Sequence, residues 1–137
     1  STGGHLTIAS PGGYTMPETT EIDVAPLNAK SGGSLKLVSD PVEAVSDADI
    51  VYTDVWTSMG QEEETRIRLE AFKGYQVNPA LLDKAPSGVR FMHDLPAHPG
   101  EEISDGMLTD PRSIAFDQAE NRLHAQAGLL HFLFSGA

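Results

Sequence analysis

The sequence predicts an α/β protein, namely a Rossmann-like, three-layer domain with a mainly parallel sheet of about five strands and helices on both faces. Short β-branched or apolar runs alternate with longer stretches that can be helical, which is the order of a parallel sheet with crossover helices. The run at residues 49–55 is apolar on both faces, at Ile50, Val51 and Val55, as expected for a strand that is covered on both sides. No internal repeat or linker interrupts this pattern, so we expect residues 1–137 to form a single domain.

Five segments have the composition of strands. They are residues 5–10, 35–39, 49–55, 89–93 and 113–116. The turn Pro11-Gly12-Gly13 closes the first of them, and the break at Gly32-Gly33 precedes the second.

Helices are predicted for the stretches between and after these strands. They are residues 17–30, 41–48, 61–72, 79–85 and 120 to the end. Asp40 and Pro41 provide an N-cap and a proline at the first helical position, which favours a helix start there. Pro26 and several β-branched residues weaken the helix at 17–30. The last helix has apolar positions with a period of about 3.6, at Leu123, Ala127, Leu130 and Phe134.

Composition excludes several classes of partner. The chain has 20 acidic and 9 basic residues, which gives a formal net charge of -11. A surface this negative repels phosphate backbones and anionic lipids, so we expect neither nucleic acid nor a membrane as a partner. The absence of cysteine rules out a disulfide framework and a thiolate metal site. No apolar run approaches the roughly 20 residues that span a bilayer, and we expect a cytoplasmic domain.

Polar segments follow the third, fourth and fifth predicted strands, where parallel sheets bind their ligands. These segments are residues 54–60, 93–102 and 117–126, and they are rich in Asp, His, Glu and Arg. Structural loops need Gly, Pro, Asn and Ser instead. The segments therefore indicate a site at the carboxyl edge of the sheet, although solvated loops of an acidic protein remain an alternative.

The same segments resemble those of a known family. Asp54-x-x-x-Ser58-Met59-Gly60 resembles the ornithine-binding motif of ornithine carbamoyltransferases. Residues 91–98, Phe-Met-His-Asp-Leu-Pro-Ala-His, resemble the family's His-Cys-Leu-Pro segment, and residues 116–126 resemble its C-terminal arginine segment. Shorter matches occur at residues 9–14 and 75–78. The segments come in the family's order, so the chain is similar to the family's ornithine-binding domain over about residues 5–130.

The resemblance implies a reaction of arginine biosynthesis in which the δ-amine of L-ornithine attacks carbamoyl phosphate and yields citrulline and phosphate. It also implies roles for five residues, without a cofactor or a metal. Asp54 would pair with the α-ammonium of ornithine, aided by the Ser58 hydroxyl, and the Met59 backbone would fix the carboxylate. Arg122 would donate to the carbamoyl oxygen, and the Leu95 carbonyl would accept from the carbamoyl nitrogen. Considered one at a time, each of three residues also has a purely structural explanation. Asp54 would be a helix cap, Ser58 a turn residue and Arg122 a member of a surface ion pair.

Two positions depart from the family pattern. Asp94 stands where the family has its catalytic cysteine, and Pro99 replaces an arginine. A carboxylate would raise the pKa of the δ-amine and hold it as ammonium, which has no lone pair for attack. We therefore expect the chain to be inactive in isolation.

Parts of the family's proteins have no counterpart here. The phosphate-binding domain, with its Ser-Thr-Arg-Thr-Arg loop, is absent, so carbamoyl phosphate would bind only together with that domain. The resemblance begins after the family's first strand of this domain, which lies in the middle of the sheet. We expect the remaining strands either to pair anew with one another or to borrow pairing from another copy of the chain. The apolar run at residues 129–134 predicts a homodimer, with the terminal helix as a candidate for exchange.

Three other interpretations remain open. The first is a metal site in the loop after the fourth strand, from the potential ligands His93, Asp94, His98, Glu101 and Glu102. The prolines in this loop forbid the regular helix that commonly spaces such ligands, and we predict no metal. The second is a dinucleotide-binding domain, but no Gly-x-Gly-x-x-Gly follows a strand. The third is an engineered or selected module without catalysis, which serves folding or self-association.

Overall fold

The computed structural model describes residues 3–57 and 64–135. The elements in chain order are β1 (His5–Ala9), α1 (Thr19–Ser31), β2 (Ser34–Val38), α2 (Pro41–Val45), β3 (Ile50–Thr53), α3 (Thr65–Ala71), α4 (Pro79–Leu82), β4 (Arg90–His93), a 3-10 turn (Met107–Thr109) and α5 (Ala115–Phe134). Strands and helices alternate as predicted up to β4, which confirms the α/β class.

The strands form two parallel pairs. β1 pairs with β2, with His5 opposite Ser34, and β3 pairs with β4, with Thr53 opposite His93. Among the strands of the described ranges, β1 and β3 do not pair with each other. The Rossmann-like parallel arrangement is therefore present as two two-stranded sheets, and the strands have not paired anew.

The predicted fifth strand at 113–116 is wrong. Ser113 forms only an isolated parallel bridge to Phe91, in which Ile114 N donates to the Phe91 carbonyl at 2.9 Å. The helix α5 begins at the next residue, Ala115, and Gln118 N already donates to the Ile114 carbonyl. The short apolar run fits a strand or a buried helix start equally well, and here packing against β4 selects the helix.

Local signals account for several boundaries. Asp40 Oδ1 accepts from Val42 N at 2.9 Å, which confirms the predicted N-cap of α2. Helix α1 forms despite Pro26 and ends at Gly32, whose φ of 77° favours glycine. At Gly33, a Cβ would lie 2.6 Å from the Gly4 carbonyl oxygen, so only glycine lets the chain enter β2 this close to the residue before β1.

The residues that form the hydrophobic core come from the part of the chain between the end of α2 and the start of α5. Its buried members are Val45, Val51, Val77, Leu82, Val89, Phe91, Ile103, Met107 and Ala115. Helix α1 contributes no buried residue, and α5 contributes only its first. Within the described ranges, no helix combines the length and the apolar character that crossing a membrane requires.

Candidate functional site

The carboxyl ends of β3 and β4 lie side by side. Thr53 and His93 are register partners, so Asp54 and Asp94 are the first residues beyond the two strands. Neighbouring strands lie about 4.8 Å apart, which places the starts of both loops at one edge. Both aspartates are exposed. The structure thus brings together two segments that the sequence had only placed after separate strands.

Asp54 is both a turn residue and part of a cavity wall. Its Oδ1 accepts from Val55 N at 2.6 Å, and the residue lines a cavity of about 550 Å³ together with Trp56 and Arg68. Asp94, Leu95 and Arg122 are not in the lining of that cavity. The predicted ligands Ser58 and Met59 lie outside the described residues.

His93 shapes the loop that carries Asp94 and Leu95. Leu95 has a φ of 57°, and the bond to Pro96 is cis. Leu95 N donates to His93 Nδ1 at 2.9 Å, and Asp94 Oδ1 lies 3.4 Å from the same nitrogen. Because Nδ1 accepts a hydrogen bond, the ring proton belongs on Nε2. The loop is therefore positioned by the last side chain of β4.

The other nitrogen of His93 reaches a buried carboxylate. His93 Nε2 lies 3.2 Å from Glu102 Oε1, and both side chains have no exposed surface. The same oxygen accepts from His98 N at 2.6 Å, and the Glu102 carbonyl accepts from Val77 N at 2.8 Å. The contact between His93 and Glu102 therefore connects the end of β4 to the loop that follows it. The sequence had shown these residues only as potential metal ligands, because their pairing depends on how the loop between them folds.

The five potential metal ligands do not converge as one set. In the described part of the chain, His98, Glu101 and Glu102 have ligand atoms within 4.8 Å of one another, and His98 Nδ1 lies 3.7 Å from Glu101 Oε2. His93 instead uses its two nitrogens for Leu95 and Glu102. Backbone and side-chain hydrogen bonds therefore account for much of this cluster, and the absence of a metal stays a prediction.

Arg122 lies on α5, near the end of β4. Gln118 Oε1 accepts from His93 N at 3.1 Å, which joins the first turns of α5 to the carboxyl edge. Arg122 is four residues further along the helix and thus on the same face, one turn beyond. It is exposed, and within the described ranges no ion pair engages its guanidinium.

An aromatic cluster beside the cavity was not predicted. Phe72 is its centre, with ring centroids 5.1 Å from Tyr14, 5.6 Å from Trp56 and 5.8 Å from Tyr75. The Arg68 guanidinium lies 5.4 Å from the Tyr14 ring centroid. The cluster joins the loops that follow β1 and β3 to α3. The sequence shows only that aromatic residues follow β1 and β3. It does not show that these residues contact one another.

Comparisons with known proteins agree with this geometry. The sequence model of the family described as "Aspartate/ornithine carbamoyltransferase, Asp/Orn binding domain" matches residues 1–133. Ornithine carbamoyltransferase from Pyrococcus horikoshii is 50% identical over 135 residues, which are 98% of this chain and 42% of that protein. The anabolic ornithine carbamoyltransferase from Pseudomonas aeruginosa is 54% identical over 132 residues, which are 96% of this chain and 41% of that protein.

A solved structure gives the same assignment. Ornithine carbamoyltransferase from Pyrococcus furiosus superposes with a TM-score of 0.87 at 47% identity, covering 98% of this chain and 43% of that one. The 137 residues therefore span about two fifths of the relatives that they match. The chain belongs to the aspartate/ornithine carbamoyltransferase family, and it corresponds to that family's Asp/Orn-binding domain.

Proposed function

We propose that residues 1–137 form one domain that binds L-ornithine at the carboxyl edge of β3 and β4. The observation that carries this proposal is the register of Thr53 with His93, which places Asp54 beside the loop of Asp94 and Leu95. Asp54 is exposed at the cavity wall, where its carboxylate can pair with the α-ammonium of ornithine. The Ser58 hydroxyl and the Met59 backbone would complete the contacts to the amino acid.

The names of the relatives support ornithine as the amino acid, since they are ornithine carbamoyltransferases. In the reaction proposed for the complete protein, the δ-nitrogen of ornithine forms a bond to the carbamoyl carbon. The bond from that carbon to the phosphate oxygen breaks, the nitrogen loses a proton, and citrulline and phosphate leave. Arg122 would stabilise the carbamoyl oxygen, and the Leu95 carbonyl would accept from the carbamoyl nitrogen. The position of Arg122 one turn beyond Gln118 supports its role.

The isolated chain should not catalyse this reaction. Asp94 is an exposed carboxylate next to the strand end that carries Asp54, so two negative charges would face the same ligand. They raise the pKa of a nearby amine and keep it as ammonium, which cannot attack. Carbamoyl phosphate would bind only with the part of the protein that the relatives have beyond this match. These identities favour the enzyme family over a module that serves association alone.

Calorimetry with L-ornithine tests the site directly. We expect weak binding by the chain and a loss of about ten-fold or more for Asp54→Asn, because a charge-assisted hydrogen bond contributes about 1.5–3 kcal/mol. Asp49→Asn is the matched control, because Asp49 is an exposed aspartate at the other end of β3. Equal losses for both variants would show that Asp54 has no specific role. A dissociation constant in the low micromolar range would contradict weak binding.

An assay of citrulline formation tests the inactivity. With both substrates at high protein concentration, we expect no turnover by the chain, and none for Asp94→Cys in the absence of the missing domain. Turnover that Arg122→Ala abolishes would show that the chain is an enzyme as it stands.

We also propose a homodimer in which the terminal helices are exchanged. Beyond Gln118, every described residue of α5 is exposed, including Leu123, Leu130 and Phe132. Burying these side chains would stabilise an association. Light scattering should show a dimer that Leu130→Glu weakens, whereas His124→Glu on the same helix should not. A compact monomer over a wide concentration range would rule the dimer out.

A further inference from the structure

Two aspartates stand at the ends of neighbouring strands. Thr53 and His93 are the last register partners of β3 and β4, and Asp54 and Asp94 are the residues that follow them. Adjacent strands lie about 4.8 Å apart, so the two aspartates leave the sheet side by side. Both residues are exposed, and the side chain of Asp94 is 45% exposed. One edge of the sheet therefore presents two carboxylates to a ligand.

The contact between Asp94 and His93 does not neutralise this carboxylate. Asp94 Oδ1 lies 3.4 Å from His93 Nδ1. The same nitrogen accepts the hydrogen bond from Leu95 N at 2.9 Å, so it presents a lone pair and carries no proton. The neighbouring ring nitrogen therefore supplies neither a proton nor a positive charge to Asp94.

The basic side chains of the molecule do not compensate the two aspartates either. All nine lysine and arginine residues lie in the described ranges, and none of them forms an ion pair there with Asp54 or Asp94. Asp54 Oδ1 accepts from Val55 N at 2.6 Å, which leaves its negative charge in place. Two like charges at neighbouring strand ends repel each other, so a ligand that brings two positive charges is favoured there.

An amino acid with a second amine on its side chain has this chemistry. At neutral pH the side-chain amine of ornithine is an ammonium group, because an alkyl amine of this kind has a pKa of about 10.4. Five bonds separate the two nitrogens, which places them about 6 Å apart in the extended molecule. This length is similar to the spacing of neighbouring strands, so one molecule reaches both carboxylates.

We propose that Asp94 is a specificity-determining residue, which makes this edge of the sheet select amino acids that carry a second ammonium group. Asp54 pairs with the α-ammonium, and Asp94 pairs with the ammonium of the side chain. The proposal rests on the proposed binding of ornithine at the same edge, and it adds what the edge rejects. An amino acid of the same length without a second amine leaves Asp94 unpaired. Citrulline does so too, because its side-chain nitrogens are uncharged.

Titrations followed by NMR test the proposal, because they measure weak binding. The unmodified chain is titrated with L-ornithine and with L-norvaline, which has the same carbon chain but no δ-amine. We expect ornithine to bind about ten-fold or more tightly, since one charge-assisted hydrogen bond has about this effect on affinity. L-Citrulline should bind no more tightly than L-norvaline.

A change of one atom type at Asp94 separates its charge from its shape. Asp94→Asn should abolish the preference for ornithine and leave the affinity for norvaline unchanged. Asp105→Asn is the matched control, because Asp105 is an exposed aspartate in the loop after β4 and its replacement changes the net charge equally. This control should keep the preference. Asp94→Ser replaces Asp94→Asn if thermal unfolding shows that the asparagine variant is not folded.

Salt provides a readout that a purely structural role of Asp94 would not change. Raising the ionic strength from about 0.01 M to about 1 M shortens the screening length from about 30 Å to about 3 Å. The preference of the unmodified chain for ornithine over norvaline should fall over this range. In Asp94→Asn, the ratio of the two affinities should stay constant.

Two results would overturn the proposal and leave the ornithine site itself in place. The first is equal affinity of the unmodified chain for ornithine and norvaline, and the second is a preference for ornithine that Asp94→Asn retains. Binding of neither amino acid would contradict the proposed function, and this proposal would fall with it. The failure of the specificity is therefore distinguishable from the failure of the site.

Discussion

The two strand pairs of this molecule lie in different surroundings. The β3–β4 half, defined as residues 45–115, holds every buried hydrophobic side chain of the core. The β1–β2 half, defined as residues 3–44, has Pro11 as its only buried residue among those described, and α1 has none. Both halves contain a parallel strand pair and helices. Similar local structure is therefore combined with very different amounts of tertiary packing.

The difference indicates where the stability of the chain resides. Core burial is the main favourable term in folding, so the β3–β4 half should be the cooperative unit that unfolds last. The β1–β2 half depends on its ladder and on the packing of α1 and α2 against its strands.

Removing a large buried side chain should have the greatest effect. Phe91 in β4 has no exposed surface, and we expect Phe91→Ala to lower the free energy of unfolding by about 3–5 kcal/mol. Leu6→Ala in β1 should cost about 1 kcal/mol or less, because more than half of that side chain is already exposed. Urea unfolding measures both. Similar losses would mean that the two halves are equally packed.

Breaking the buried His93–Glu102 pair should have the next largest effect. Glu102→Ala leaves His93 and the backbone N–H of His98 without their acceptor, and it should cost about 1–3 kcal/mol. Glu43→Ala is the matched change in the β1–β2 half, where the carboxylate is exposed and pairs with Lys36. Its cost should stay below about 0.5 kcal/mol. A loss for Glu43→Ala above this limit would contradict the contrast between the halves.

The smallest expected effect is on the pH dependence of the free energy of unfolding. The side-chain hydrogen bond from Arg112 lowers the pKa of Asp110, so this carboxylate contributes stability above its unfolded pKa of about 3.9. The contribution is lost as the pH falls through the lower folded pKa. Arg112→Leu should therefore cost about 1 kcal/mol at pH 6, and the difference from the unmodified chain should shrink toward pH 2.

The matched variant in the β1–β2 half is Lys36→Ala. Hydrogen bonding to Glu43 raises the pKa of Lys36, so its contribution is present below the unfolded pKa and is lost only as strongly alkaline pH passes the folded value. Because this ion pair is exposed, Lys36→Ala and the unmodified chain should have the same unfolding midpoint at every pH between about pH 5 and pH 9. Thermal unfolding at several pH values measures both variants, and an equal pH dependence would contradict the expected contrast.

The sequence by itself determined the local elements and the edge at which a site would lie. Alternating strands and helices gave the α/β class, and the cap at Asp40 and the glycine at Gly32 marked boundaries that the structure confirms. These signals act over a few residues, so a single sequence contains them in full. The placement of polar segments after β3 and β4 follows from the same alternation, because parallel strands end at one edge.

Only the tertiary structure decided which elements meet. Packing against β4 accompanied the replacement of the predicted strand at 113–116 by the start of α5, and the fold of the loop after β4 paired His93 with Glu102. In the described part of the chain, β1 and β3 are also left unpaired with each other. Strand composition specifies that a segment pairs, but the identity of its neighbour depends on the packing of the whole chain. The physical reason is that pairing and burial are long-range properties, whereas propensities and caps are local ones.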